Sequence, residues 1–208
     1  VSSAFPFKAD EVFFPKPKNI LPFSIKGLEK AQYAKSLKKV EYIGKTMFER
    51  VLNNVESEIS PEQIGGQGKY IFSSPISKNI RVMKSDVQQK VYVPADPAKP
   101  SRPYYIDRIY FGEDAGLYFL LDVEDENMKN HIYSCLKLLG DHGVGTDRSS
   151  GNGMFDFEKD TLTLDIPDEA KMMMNLSLYI PKKEELVKDE LENSAYELVR
   201  RGSYIAGT

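Results

Sequence analysis

The residues best equipped for chemistry sit together in Gly140-Asp141-His142-Gly143-Val144-Gly145-Thr146-Asp147-Arg148-Ser149-Ser150-Gly151-Asn152-Gly153-Met154-Phe155. This stretch holds five glycines, one arginine and three hydroxyls, and four of the glycines fall in two Gly-x-Gly pairs. Glycine removes the Cβ clash, so such pairs let the backbone turn and let another molecule come close. Amide donors, hydroxyls and the forked guanidinium of Arg148 make a cradle suited to a phosphodiester. A long flexible connection would satisfy the same spacing.

The flanking elements decide what the cradle is not. Before it, Met128, Ile132, Cys135, Leu136 and Leu139 recur at three- and four-residue spacing and predict a helix over 126–139. After it, Met154-Phe155-Asp156-Phe157 alternates like a half-buried strand. Dinucleotide folds and P-loops run strand, loop, helix, so that helix amides face the phosphate. Here the order is helix, loop, strand, and Gly153 is followed by Met154 where a P-loop needs lysine.

Catalytic equipment is sparse. His142 opens the loop, where a general base for RNA cleavage would sit, but no partner to orient it is evident in the loop. His131 lies among apolar helix residues and reads as structural. Asp122, Glu124, Asp125 and Glu126 cluster at a strand end, yet acidic residues there also suit a helix N-terminus through the backbone dipole. The expectation is no catalytic residue, no metal and no cofactor.

The 208 residues suffice for one large domain or two small ones, and 41% hydrophobic composition allows a real core. The chain starts at Val1 without methionine, and a piece of a longer protein is expected. The longest apolar run, Leu117–Leu121, is too short to cross a bilayer, and no secretion signal is visible at Val1. A single cysteine excludes a disulfide frame and fits a cytoplasmic setting. The net charge of −3 hides a segregation: residues 1–110 carry 18 Lys and Arg against 11 Asp and Glu, whereas residues 111–208 carry 10 against 20. Steering depends on local patches, so the front half suits phosphates despite the total. Twelve tyrosines and eleven phenylalanines offer stacking faces for unpaired bases, with Tyr92, Tyr104 and Tyr105 the expected exposed ones.

Along the chain, residues 1–7 and 12–17 are β-prone pieces broken by proline and predict edge strands or strand ends. The pattern predicts one long helical region over 29–55. Lys69 to Pro94 alternates in two limbs, 70–82 and 87–93, and predicts a basic β-hairpin bearing Lys78, Arg81, Lys84 and Lys90. A proline-rich link follows over 94–103. Residues 104–111 and 116–123 predict two strands, the second a central strand covered by the helix. With strands at 155–157 and 161–166 this gives β-β-α-β, and 172–180 and 184–201 read as a strand and a helix of a second unit.

These pieces resemble the RAMP superfamily of CRISPR proteins. The loop 143–155, together with Ser3-Ala4-Phe5-Pro6-Phe7, Phe14-Pro15-Lys16-Pro17, Asp107-Arg108 and Gly116-Leu117-Tyr118-Phe119, is similar to one class of member. That class is the subunit of type III-A effector complexes that caps the 5′ tag of the crRNA. Thr146 stands where that class often has a further glycine, and Asn152 where a lysine is common. The resemblance implies an α+β fold, a ferredoxin-like, RNA-recognition-motif sandwich with a protruding thumb hairpin and the start of a second similar unit. The expected division is 1–168, with the thumb at 69–94, and 169–208.

It further implies a noncatalytic RNA-binding subunit whose partners are crRNA, the large polymerase-like subunit and a backbone RAMP subunit, with no membrane. The expected RNA contacts are His142, Gly143, Gly145, Thr146, Arg148, Ser149, Ser150, Gly151, Asn152 and Gly153 in the loop. Lys78, Arg81, Lys84 and Lys90 on the hairpin and Arg108 complete the set. The alternatives are a RAMP endoribonuclease that cuts repeat RNA with His142 as base, and a structural adaptor whose loop packs on protein alone.

Overall fold

The strand Glu11-Val12-Phe13-Phe14-Pro15 places two adjacent phenylalanines, both fully buried, on opposite faces of one sheet. The computed structural model describes residues 1–18, 22–27, 30–76, 80–169, 173–186 and 194–199. Within it β1 (Phe5–Lys8), β2 (Glu11–Pro15), β3 (Phe23–Ile25), α1 (Lys30–Lys39), β4 (Tyr42–Gly44), α2 (Lys45–Leu52) and β5 (Ser57–Ile59) follow in order. Then come β6 (Ile64–Gly65), β7 (Tyr70–Ile71), β8 (Met83–Tyr92), β9 (Arg102–Phe111), β10 (Ala115–Tyr118) and α3 (Glu126–His142). The fold is α+β, built on a six-stranded mixed sheet of order β10-β1-β2-β4-β7-β6. Only β4 and β7 run parallel within it, pairing Ile43 with Ile71. β3 and β5 form a separate parallel pair.

Alternation along the strands fills both faces of this sheet. On one, Phe14, Ile43 and Ile71 meet Phe23, Val40, Met47, Phe48 and Ile59, and the Phe14 and Phe48 rings stack 4.2 Å apart. On the other, Phe13 meets Tyr70, Phe72 and Val82, with Phe13 and Phe72 edge to face at 4.9 Å. Such ring pairs add about 0.5–1.5 kcal/mol each beyond the area they bury.

Several expectations are corrected here. Of the pieces at 1–7 and 12–17, the strands β1 and β2 are not edge strands, because both lie inside the sheet, whereas Pro15 does mark a strand end, closing β2. Pro6 is tolerated there because β2 pairs only with Phe7 and Lys8, so at Pro6 the strand has β10 alone beside it. The helical region over 29–55 is broken. Tyr42 and Ile43 leave the helix pattern to form β4 between β2 and β7, where Ile43 is fully buried. Sheet burial of β-branched and aromatic side chains outweighs a weak helix preference. Glu29 lies outside the described residues.

The hairpin is present, but with a different second limb. β8 pairs antiparallel with β9 over ten residues, from Met83 opposite Phe111 to Tyr92 opposite Arg102. Tyr70 and Ile71, read as part of the first limb, belong to the central sheet. The proline-rich link at 94–103 is thus largely the tip of the ribbon, with Pro103 already in β9. The base is fastened by buried Val82, whose carbonyl accepts the Gly112 N–H at 2.9 Å.

β10 is shorter than expected and sits at the sheet edge beside β1, not in its centre, with Leu117 half exposed. α3 runs three residues past the predicted end, to His142, and leaves Met128, Leu138 and Leu139 exposed. Residues 155–157 and 161–166 join no ladder among the described residues. Instead Leu162, Leu164, Met174 and Leu176 lie as extended chain against the Phe14 core. Side chains of α2 and the residue after it serve that chain: Glu49 accepts the Asp165 N–H at 3.0 Å, and Asn53 donates to the Asp165 carbonyl at 3.2 Å. The strand expected at 172–180 is absent over 173–180, and the helix expected over 184–201 shows one short turn at Lys183–Glu185. Residues 170–172, 187–193 and 200–208 lie outside the described set.

Candidate nucleic-acid interface

α3 ends because Gly143 takes φ 75°, in the left-handed region, while its N–H still bonds the Leu139 carbonyl at 2.8 Å. The loop is then drawn shut at its neck by Val144 N–H donating to the Gly153 carbonyl at 2.9 Å. A Cβ on Gly153 would lie 1.9 Å from the Val144 oxygen, and one on Gly143 would lie 2.6 Å from the Asn152 oxygen. These two glycines let the chain cross itself. Gly145 and Gly151 differ: both have positive φ, yet a Cβ on either would meet nothing within 4 Å. Two of the four paired glycines therefore build the loop, and two face open space. Asp141, His142, Gly145, Thr146, Asp147, Arg148 and Ser149 line an open depression there.

The β8–β9 ribbon touches the loop through Lys90 and Arg108. In its register Lys84, Asp86, Gln88, Lys90 and Tyr92 lie opposite Tyr110, Arg108, Ile106, Tyr104 and Arg102, so these alternate pairs share one face. That face is basic and aromatic. The other carries Val87, Val91, Tyr105, Ile109 and Phe111, all exposed, with Asp107 as its one charge. Tyr92, Tyr104 and Tyr105 are exposed as expected.

Loop and basic face meet at Asp147. Its carboxylate accepts from the Lys90 ammonium of β8, from Arg108 Nη2 of β9 at 3.1 Å and from Asn152 Nδ2 at 3.2 Å. Its main-chain oxygen accepts from Ser150 Oγ and Asn152 Nδ2, each at 3.0 Å. The Lys90 hydrogen bond leads in holding the Asp147 carboxyl below its usual range, with Ser150 and Arg108 adding to it. Arg108 is pushed up, first by its bond to Tyr110 and also by Asp147. A detectable signal existed: an acidic residue in a phosphate-facing loop is unfavourable unless cations answer it.

The predicted contacts thus divide. His142, Gly145, Thr146, Arg148, Ser149, Ser150 and Gly151 are exposed in the loop, and Arg148 has no side-chain partner among the described residues. Gly143, Gly153 and Asn152 hold the loop's shape. Lys90 and Arg108 are engaged with Asp147, and Lys84 approaches Asp86 at 3.9 Å. Arg81 is exposed before the ribbon, and Lys78 lies outside the described residues. Of the acidic cluster, Asp125 caps α3 by accepting the Asn127 N–H at 2.8 Å, and Glu126 pairs with Lys129 at 2.9 Å. Both act as helix-start residues.

With this geometry described, comparison with known proteins is informative. No family model matches the chain. A curated protein of Thermococcus onnurineus, the CRISPR system protein Csm4, is 27% identical over 214 residues, covering 100% of this chain and 64% of its own length. The chain is similar to Csm4 along its own length. A Csm4 of Methanocaldococcus jannaschii is 24% identical, covering 98% of this chain and 63% of the relative. The chain therefore spans a little under two thirds of the Csm4 proteins it matches. A chain in the crystal structure of a Csm1-Csm4 cassette in complex with cA4 aligns with 67% of this chain and 46% of its own, at 27% identity and TM-score 0.44. The type III-A CRISPR resemblance read from the loop and strand motifs is borne out by the Csm4 relationship.

Proposed function

We propose that this chain is a noncatalytic, crRNA-binding subunit of a type III-A CRISPR effector ribonucleoprotein. In this reading it holds the 5′ tag of the guide and bridges the large polymerase-like subunit to a backbone RAMP subunit in cytoplasmic antiviral defence. The observation that carries the reading is the seating of the glycine loop on the basic face of the β8–β9 ribbon. The end-to-end similarity to Csm4 supports it. The RNA backbone lies along the open side of the loop, where Gly145 and Gly151 leave room and Arg148, Thr146 and Ser149 offer donors. The sheet of residues 1–118 is read as a RAMP variant of the ferredoxin-like fold, with the ribbon as its thumb and residues 169–208 beginning a second unit.

The role is one of holding. A general base must be placed against the proton it takes and oriented by a neighbour. The exposed His142 imidazole has no side-chain hydrogen-bond partner among the described residues.

The test is guide binding by the assembled complex carrying Arg148→Ala. Loss of one charge-assisted phosphate contact should weaken binding by about 1–2 kcal/mol, alike across guide sequences, and lower the salt slope by roughly 0.7. Unchanged affinity and slope overturn the reading. Repeat RNA incubated with the protein, with or without Mg²⁺, should stay intact. Cleavage that vanishes in His142→Ala would establish the endoribonuclease instead.

A further inference from the structure

We infer that Asp147 is a positioning residue that latches the glycine loop to both strands of the ribbon, so that the two present one preformed surface to RNA. The inference rests on the RNA-binding reading above and names the residue that assembles its site.

One side chain makes the connection. The Asp147 carboxylate takes Lys90 from β8, Arg108 from β9 and Asn152 from the returning limb of the loop, while its carbonyl takes Ser150 and Asn152. Its φ of 64° is a conformation that aspartate tolerates better than most side chains, and it sets the direction of Arg148, the next residue. On the ribbon the contact continues through Arg108 to Tyr110, whose hydroxyl accepts from Gln88 Nε2 at 2.7 Å. The latch therefore reaches a side-chain bond that joins the two strands of the ribbon.

A rival role is that of a stand-in anion, occupying Lys90 and Arg108 until a phosphate displaces it. Two observations favour positioning. The three charged side chains are 21–27% exposed, so a phosphate reaches them less readily than it reaches the exposed Arg148. Displacement would also strip Asn152 of its carboxylate partner and loosen the loop that carries Arg148. Two cations against one carboxylate leave the cluster with a net positive charge, so the latch does not cancel the attraction for RNA.

Trypsin supplies a reporter independent of RNA, because Arg148 is exposed and lies in the latched loop. The full chain is digested briefly and cleavage after Arg148 is timed. In Asp147→Asn, cleavage should be about five-fold faster, as expected for losing partly exposed ion pairs that hold a local opening closed. Affinity for a labelled oligouridylate RNA should fall by a similar factor, whereas Asp147→Glu restores both. Raising ionic strength should speed cleavage of the wild type and leave Asp147→Asn unchanged. If circular dichroism shows Asp147→Asn unfolded, Lys90→Gln replaces it with the same expected acceleration. Wild-type cleavage rates in the variant, or tighter RNA binding, would overturn the latch; the latter would make Asp147 the stand-in anion. Faster cleavage combined with Arg148→Ala binding oligouridylate normally would keep the latch and overturn the RNA reading.

Discussion

The central sheet and the β8–β9 ribbon are built from the same kinds of residue, yet they end in opposite environments. β2 buries Phe13 on one face and Phe14 on the other, and none of its residues is fully exposed. β8 and β9 pair over ten residues and leave Val87, Val91, Tyr105 and Ile109 more than half exposed. Short strands under two layers of side chains hold the fold; long strands under none reach beyond it. Two strands alone are marginal in water, so the ribbon depends on its fastening at Val82 and Gly112 and on Asp147 in the loop.

If that contrast is right, its largest signature is in stability. Phe14→Ala should cost about 3–5 kcal/mol in chemical denaturation, because the ring is fully buried and stacked on Phe48. Tyr105→Ala, on the exposed ribbon, should stay within about 0.5 kcal/mol of wild type. Equal losses would end the distinction. Gly153→Ala comes next: the added methyl strikes the Val144 carbonyl at a left-handed position, and about 1–3 kcal/mol should be lost from the loop region. Hydrogen exchange at Val144, with the sheet amides unchanged, would locate that loss.

Titration sharpens the same comparison. Burial pushes the Tyr70 hydroxyl up to about 12, and burial also raises Tyr118, whose hydroxyl donates to the Phe13 carbonyl at 2.8 Å. The folded state therefore favours neutral tyrosines, and stability present below the ordinary value near 10 should fall as pH rises from there towards 12. Tyr70→Phe should flatten the fall measured by denaturation between those values. The smallest effect is expected from excision. Joining Met83 to Phe111 by a two-residue turn should leave the denaturation midpoint of the sheet nearly unchanged and reduce guide retention in the complex. Loss of folding would show the ribbon to be part of the core.

Much of this was legible in the sequence where a signal was local. The helix before the loop, the mixture of strands and helix around it, the strand at 104–111 and the glycine loop all follow from periodicity and turn chemistry. Pairing was not local. Residues 70–82 looked like the neighbouring limb of 87–93, but the partner of β8 lies beyond the proline-rich link. Nor does spacing separate Gly143 and Gly153, which allow the chain to cross itself, from Gly145 and Gly151, which face open space. Lys90 and Arg108 were legible as cations on the site, whereas their engagement by Asp147 depends on a fold that brings residues 39 and 57 positions apart together.

The neck between Val144 and Gly153 has a consequence for how such a protein can change. Because the two ends of the loop are fixed to each other and to α3, the base of residues 145–152 is anchored from outside them, while Asp147, bonded to Asn152 within them, holds the loop to the ribbon. Lengthening or replacing the stretch around Arg148–Ser150 alters what is displayed while the crossing beneath it stays intact, as exposed loop tips generally allow. The molecule thus keeps the tip around Arg148–Ser150 exchangeable, with no renegotiation of the sheet below.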